Sequence, residues 1–89
     1  MIERELAVSN RLGLHARASA KLVQVLSGFR CSATLAAKGR EVNAKSIMGV
    51  MLLAAGPGTT VLVRVDGEEE AAAMAAVAEL FERNFDEED

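Results

Sequence analysis

Asn10-Arg-Leu-Gly-Leu-His-Ala-Arg-Ala-Ser-Ala-Lys21 joins two segments whose hydrophobic periods differ. Before it, Ile2, Leu6 and Val8 fall on alternate positions while Glu3 and Glu5 face the other way, the pattern of a strand with one buried face. Arg4 interrupts the inward set, which puts the start of this strand at the end of a sheet. After the stretch, Ser19, Leu22, Val23 and Leu26 recur at spacings of three and four. They predict a helix over Ala16 to Ser27, with Lys21 and Gln24 on its outer side and Gly28 as its stop. Gly13 permits the sharp change of direction between strand and helix, because it tolerates backbone angles other residues avoid. The only histidine, His15, therefore falls at or just before the first turn of the helix, with Arg17 two residues on.

That position carries chemistry. The free N–H groups of a helix N-terminus, together with the positive end of its dipole, suit an anion. Arg17 adds a planar guanidinium fork that matches phosphate oxygens. A positive field disfavours imidazolium, so one ring nitrogen of His15 keeps a lone pair near neutral pH and can receive a phosphoryl group. From spacing alone, a lone histidine more often merely caps a helix or lies on the surface, since Gly-x-His-x-Arg is a weak pattern by itself.

Farther along, Cys31 to Ala37 and Arg40 to Asn43 form a short hairpin turned at Lys38-Gly39, with Cys31, Ala33 and Leu35 alternating against Ser32 and Thr34. Ser46 stands where a helix N-cap belongs, ahead of a short helix over Ile47 to Ala55. Val50, Leu53 and Ala54 suffice for its buried face, which leaves Ile47, Met48, Met51 and Leu52 as apolar surplus. Such a surplus marks a docking surface when exposed, and methionine adapts to several partners; alternatively another element covers it. Ala55 to Thr60 is glycine-rich but lacks the Gly-Lys-Ser/Thr ending of a nucleotide loop, and reads as a turn. Val61, Val63 and Val65 alternate in a last strand that ends at Asp66-Gly67. A long helix over Glu68 to Asn84 follows, with Met74, Val77, Leu80 and Phe81 as its buried stripe, and Asp86 to Asp89 reads as a solvated acidic tail. The order β-α-β-β-α-β-α in so small a chain predicts an α+β, two-layer sandwich with the helices on one face of an antiparallel sheet.

The chain has 89 residues, of which 51% are hydrophobic and only 3% aromatic, so one small domain over residues 1–89 with an aliphatic core is expected. Cys31 is the only cysteine, which excludes an internal disulfide; as a strand residue it is expected to be buried. One cysteine and one histidine do not make a typical zinc site. The run Ile47 to Gly56 is too short to span a bilayer, and Met1 to Glu5 lacks the basic start and apolar stretch of a signal peptide. A cytoplasmic protein is expected by elimination. Between Asn10 and Gly49 there are seven basic residues and one acid, a net +6, so with −3 for the whole chain the remainder carries −9. A basic motif region with acidic ends favours anionic groups and acidic partner surfaces. Nucleic acid is disfavoured by the overall negative charge and the lack of basic–aromatic clusters.

Gly13-Leu14-His15-Ala16-Arg17 resembles the active-site signature of the histidine-containing phosphocarrier (HPr) family of the bacterial phosphotransferase system, and Asn43-Ala-Lys-Ser46-Ile-Met-Gly49 resembles its regulatory serine segment. The two motifs lie at the family's spacing in a chain of the family's length, and the resemblance covers essentially all of it. One departure is Ala18, where the family often has proline; this bears on subfamily more than on chemistry. The resemblance implies the open-faced sandwich of a four-stranded antiparallel sheet and three helices. It implies a carrier, not an enzyme, that takes phosphate from enzyme I onto His15 and passes it to an enzyme IIA without cofactor or metal, as a monomer. The family uses ring nitrogen Nδ1, which nothing in this sequence selects. Arg17 and the N–H groups of Ala16 and Arg17 are then the phosphate-holding groups, and Ile47, Met48 and Met51 lie on the helix that docks partners. In parts of the family a dedicated kinase, HPr kinase/phosphorylase, modifies the serine that is Ser46 here. The nitrogen-related branch, which regulates by phosphorylation-dependent protein binding, is the alternative; the Leu80-Phe81 helix end and the acidic tail resemble it somewhat, whereas the intact serine motif leans toward sugar transport.

Overall fold

The computed structural model of the chain describes residues 1–87. Its elements run β1 (Ile2–Ala7), α1 (Ala16–Ser27), β2 (Ser32–Ala37), β3 (Arg40–Asn43), α2 (Ile47–Leu52), β4 (Thr60–Asp66) and α3 (Glu70–Glu82), followed by a single 3₁₀ turn at Asn84–Asp86. The strands form one antiparallel sheet in the order β1-β4-β2-β3. The expected α+β sandwich is what forms, with three helices on one face of the sheet. Leu6, Ala33, Leu35, Val61, Val63 and Val65 point inward from the strands and are buried. Leu22 and Leu26 of α1, Val50 of α2, and Val77, Leu80 and Phe81 of α3 close over them. Fully burying a leucine of this kind contributes about 1.5–3 kcal/mol.

Local chemistry explains most boundaries. Helix α1 occupies the expected span; it begins at a side-chain cap, His15, and ends where the Gly28 N–H bonds back into the last turn. Arg4 is exposed at the rim, as its break in the alternation requires. Lys38 and Gly39 take φ of 53° and 75° to turn the β2–β3 hairpin.

Three expectations are corrected. Helix α2 stops at Leu52 instead of Ala55, because Ala54 adopts φ 53° and is exposed while Ala55 turns inward and is buried. Its buried face is therefore Val50 with Leu53 of the cap. Cys31 lies just before β2 and is half-buried, not a buried strand residue. Helix α3 runs from Glu70 rather than Glu68, since the Glu70 carboxylate accepts the Gly67 N–H at 3.1 Å and closes the turn ahead of it.

The other face of the sheet has no helix on it. There Arg64, central on β4, donates from Nε to Glu3 Oε2 at 2.8 Å and from Nη1 to Glu41 Oε2 at 3.3 Å, reaching across β2 to β3.

Candidate functional site at the start of the first helix

The loop between β1 and α1 is fixed before it reaches His15. Gly13 has φ +67°, and a Cβ there would lie 2.6 Å from the Ala55 carbonyl oxygen, so the loop presses its backbone against the segment after α2. The neighbouring Leu14 N–H donates to the same carbonyl at 2.9 Å. Ser19, buried on the inner face of α1, donates its hydroxyl to the Leu14 carbonyl at 3.1 Å. Asn10, 2% exposed, donates Nδ2 to the Gly13 carbonyl at 2.8 Å.

His15 is the N-cap of α1, with extended backbone (φ −74°, ψ −178°). Its Nδ1 accepts the Arg17 N–H at 3.2 Å, so that nitrogen presents a lone pair to the helix N-terminus. Its Nε2 lies 3.3 Å from Glu87 Oε2. The tautomer that satisfies both contacts carries its proton on Nε2 and leaves Nδ1 unprotonated. The N–H groups of the first helical turn have no intrahelical partner. They lie on the Nδ1 side of the ring, and Arg17, whose N–H meets Nδ1, is exposed and lines the same cleft. This is an anion site beside a nucleophilic nitrogen, held in a shallow cleft walled by Leu12, Ala18, Phe85, Asp86 and Glu87.

The C-terminal wall is a further correction to the sequence reading. Asp86 and Glu87, expected in a solvated tail, are tied to the cleft; residues 88 and 89 lie outside the described residues. Phe85 is buried, 4.8 Å from the Phe81 ring centre to centre, and Lys21 Nζ donates to the Phe85 carbonyl at 3.1 Å. Ser9 Oγ donates to Asn84 Oδ1 at 2.6 Å. These contacts hold three consecutive non-glycine residues, Asn84, Phe85 and Asp86, at φ 53–57°, a region that costs roughly 1–2 kcal/mol per residue. The turn brings the Glu87 side chain, 11% exposed, onto the histidine. Hydrogen bonds from Asn10 Nδ2, then from the Leu12 N–H and His15, outweigh burial and hold its carboxyl below the usual range. The surroundings of His15 are thus positive at Nδ1 but negative at Nε2, not uniformly positive. Asn10, Leu12 and Glu87 were not singled out from sequence; the Phe81/Phe85 spacing of four was the one local signal that the tail folds back.

Ser46 caps α2, its Oγ accepting the Gly49 N–H at 3.1 Å. The apolar surplus of that helix is exposed: Met48 is 72% exposed, and Ile47, Met51 and Leu52 also face outward, as does Leu12 beside the cleft. None of Ser46, Ile47, Met48 and Met51 lines the His15 cleft. Among the described residues no group of three His, Cys, Asp or Glu side chains could hold a metal, and no helix is long and apolar enough to cross a membrane.

Comparison with known proteins agrees with this geometry. The family model described as "PTS HPr component phosphorylation site" matches residues 2–83. The phosphocarrier protein HPr of Xylella fastidiosa is 66% identical over 87 residues, covering 98% of each chain. The HPr of Cupriavidus necator is 49% identical over the same length. Among solved structures, HPr-C-His from Thermoanaerobacter tengcongensis superposes with a TM-score of 0.94 at 39% identity over 99% of both chains. A helix N-terminus that offers an imidazole lone pair, in a chain so similar along its whole length, leaves one assignment: the chain belongs to the HPr family, the phosphoryl carriers of the phosphotransferase system.

Proposed function

We propose that His15 Nδ1 is the phosphate acceptor, loaded from a phosphohistidine on enzyme I and unloaded onto a histidine of an enzyme IIA. The observation that carries this reading is the Arg17 N–H donated to Nδ1, which marks that nitrogen as the unprotonated one. When Nδ1 bonds phosphorus, the Arg17 N–H loses its acceptor on the ring and gains one on the phosphate, so the same donor serves both states. The Ala16 N–H and the Arg17 guanidinium complete the cradle. The chain acts as a carrier and not an enzyme: it leaves each cycle by giving up the group it received, using no cofactor or metal. One domain, working as a cytoplasmic monomer, suits a shuttle that shows the same face to successive partners.

Ile47, Met48 and Met51 are the docking residues in this reading, supported by their exposure on the helix whose following segment bonds, at Ala55, to the loop that carries His15. Ser46 is a site for HPr kinase/phosphorylase; a phosphate there places negative charge beside that surface and repels acidic partners. Incubation with a matching kinase and ATP, with Ser46→Ala alongside, tests this second modification.

The deciding experiment for the carrier reaction is incubation with phosphoenolpyruvate, magnesium and enzyme I from the same organism, followed by phosphorus NMR. An acid-labile phosphohistidine signal that is lost in His15→Ala is expected. Phosphate retained by the variant sinks the assignment to His15.

A further inference from the structure

The C-terminal turn has more anchoring than a tail needs. Phe85 is buried and Lys21 holds its carbonyl, which by themselves fix the end of the chain against α1 and α3. Yet the backbone continues through a left-handed turn, and its product is a carboxylate on the reactive ring. Glu87 Oε2 takes the Asn10 Nδ2 hydrogen at 2.9 Å and faces His15 Nε2 at 3.3 Å; Oε1 takes the Leu12 N–H at 3.2 Å. Asn10 is itself fixed by the Gly13 carbonyl, so the carboxylate is oriented from the loop that carries the histidine.

We propose that Glu87 is a positioning residue for phosphoryl transfer: it holds the proton on His15 Nε2, keeps Nδ1 as the nucleophile, and balances the charge the ring acquires. The proposal rests on the reading of His15 as phosphoacceptor. In the transfer, the Nδ1 lone pair forms the new N–P bond while the bond from phosphorus to the donor imidazole breaks, its electron pair returning to the donor ring. Nε2 keeps its proton throughout. The ring of His15 therefore turns from neutral to cationic as the bond forms, and a carboxylate against the protonated nitrogen stabilises that change, as an aspartate does for the histidine of a hydrolase triad. The same contact restrains rotation of the ring, so that the Nδ1 lone pair stays aimed at the helix N-terminus.

The test uses the full chain, nitrogen-15 labelled, with Glu87→Ala and Glu87→Gln. Glutamine has nearly the same size, but its NH₂ would face the Leu12 N–H or the ring N–H, so it fails to rescue if the carboxylate matters. Two quantities are measured: solvent exchange of the His15 Nε2–H in the unphosphorylated protein at mildly alkaline pH, and the rate of phosphate acceptance from enzyme I. Both variants are expected to speed exchange and to slow acceptance by roughly three- to tenfold. Unchanged exchange overturns the proposal whatever the rate does, and so does faster exchange with an unchanged rate. Because exchange is read without phosphate, it stands apart from the parent reading, which fails only if His15→Ala still accepts phosphate.

Discussion

At the start of α1 the acceptor for a free backbone N–H is an imidazole nitrogen, His15 Nδ1, 3.2 Å from the Arg17 nitrogen; at the start of α2 it is a hydroxyl, Ser46 Oγ, 3.1 Å from that of Gly49. Both caps answer the same need, since the first N–H groups of any helix lack partners. What differs is what each cap can do besides. The neutral imidazole has a ring lone pair to offer, whereas a serine hydroxyl needs a base to take its proton. The first start opens on a cleft lined by both Arg17 and Glu87. The second is closely packed, with space for a Cβ at Gly49 limited by the Asn43 carbonyl at 3.0 Å and by Ser46 itself. In the proposed reading, the start of α1 therefore takes a phosphoryl group on its own cap, whereas the start of α2 takes one only when a kinase supplies the base.

The strongest way to break this contrast is Arg17→Ala. If the guanidinium stabilises the group in flight by ~1.4–4 kcal/mol, phosphate acceptance slows roughly ten- to a thousandfold; an unchanged rate in rapid-quench assays would make Arg17 a bystander and the two starts alike. Next comes the packing under each helix. Gly13→Ala forces a Cβ into the Ala55 carbonyl at positive φ and is expected to cost about 2–4 kcal/mol in urea denaturation. Gly49→Ala has ordinary helical φ and gains helix propensity, so its net cost is expected to stay under about 1 kcal/mol. Ser46→Ala removes a neutral cap and is expected to lower stability by about 1 kcal/mol by the same measurement. The smallest effect separates the two starts by acid. The carboxyls of Asp86, beside Arg83 and Lys21, and of Glu87, beside Asn10, are held below their usual range in the fold. Folded values below the unfolded ones mean stability that is present above the ordinary carboxylate range and lost as pH falls through the folded values. Amide exchange at Leu12 is therefore expected to quicken in acid, while exchange at Gly49, whose acceptor does not titrate, follows only the intrinsic rate.

The sequence made α1 legible to the residue, because a histidine cap and Gly28 punctuate a clear period. It made β4 legible because three valines alternate. It also placed His15, Arg17 and Ser46 at helix starts, since caps are local features. The end of α2 was not legible: nothing in Leu-Leu-Ala-Ala distinguishes a helix that continues from one that stops. The stop is set by a bond between Ala55 and Leu14, more than 40 residues earlier in the chain. Glu87 was hidden for the same reason, since a run of acids at a terminus looks solvated until its partners Asn10 and Leu12 are known. Contacts across the whole length of a chain leave no period to read.

The row from Glu3 through Arg64 to Glu41 lies on the face of the sheet that no helix covers. An open sheet face is where a second copy of the same chain would stack. Stacking here would take a guanidinium and two carboxylates out of water together, and such desolvation offsets most of what the neighbouring apolar side chains would gain. The row thus guards with charge the one face of the sheet that no helix covers.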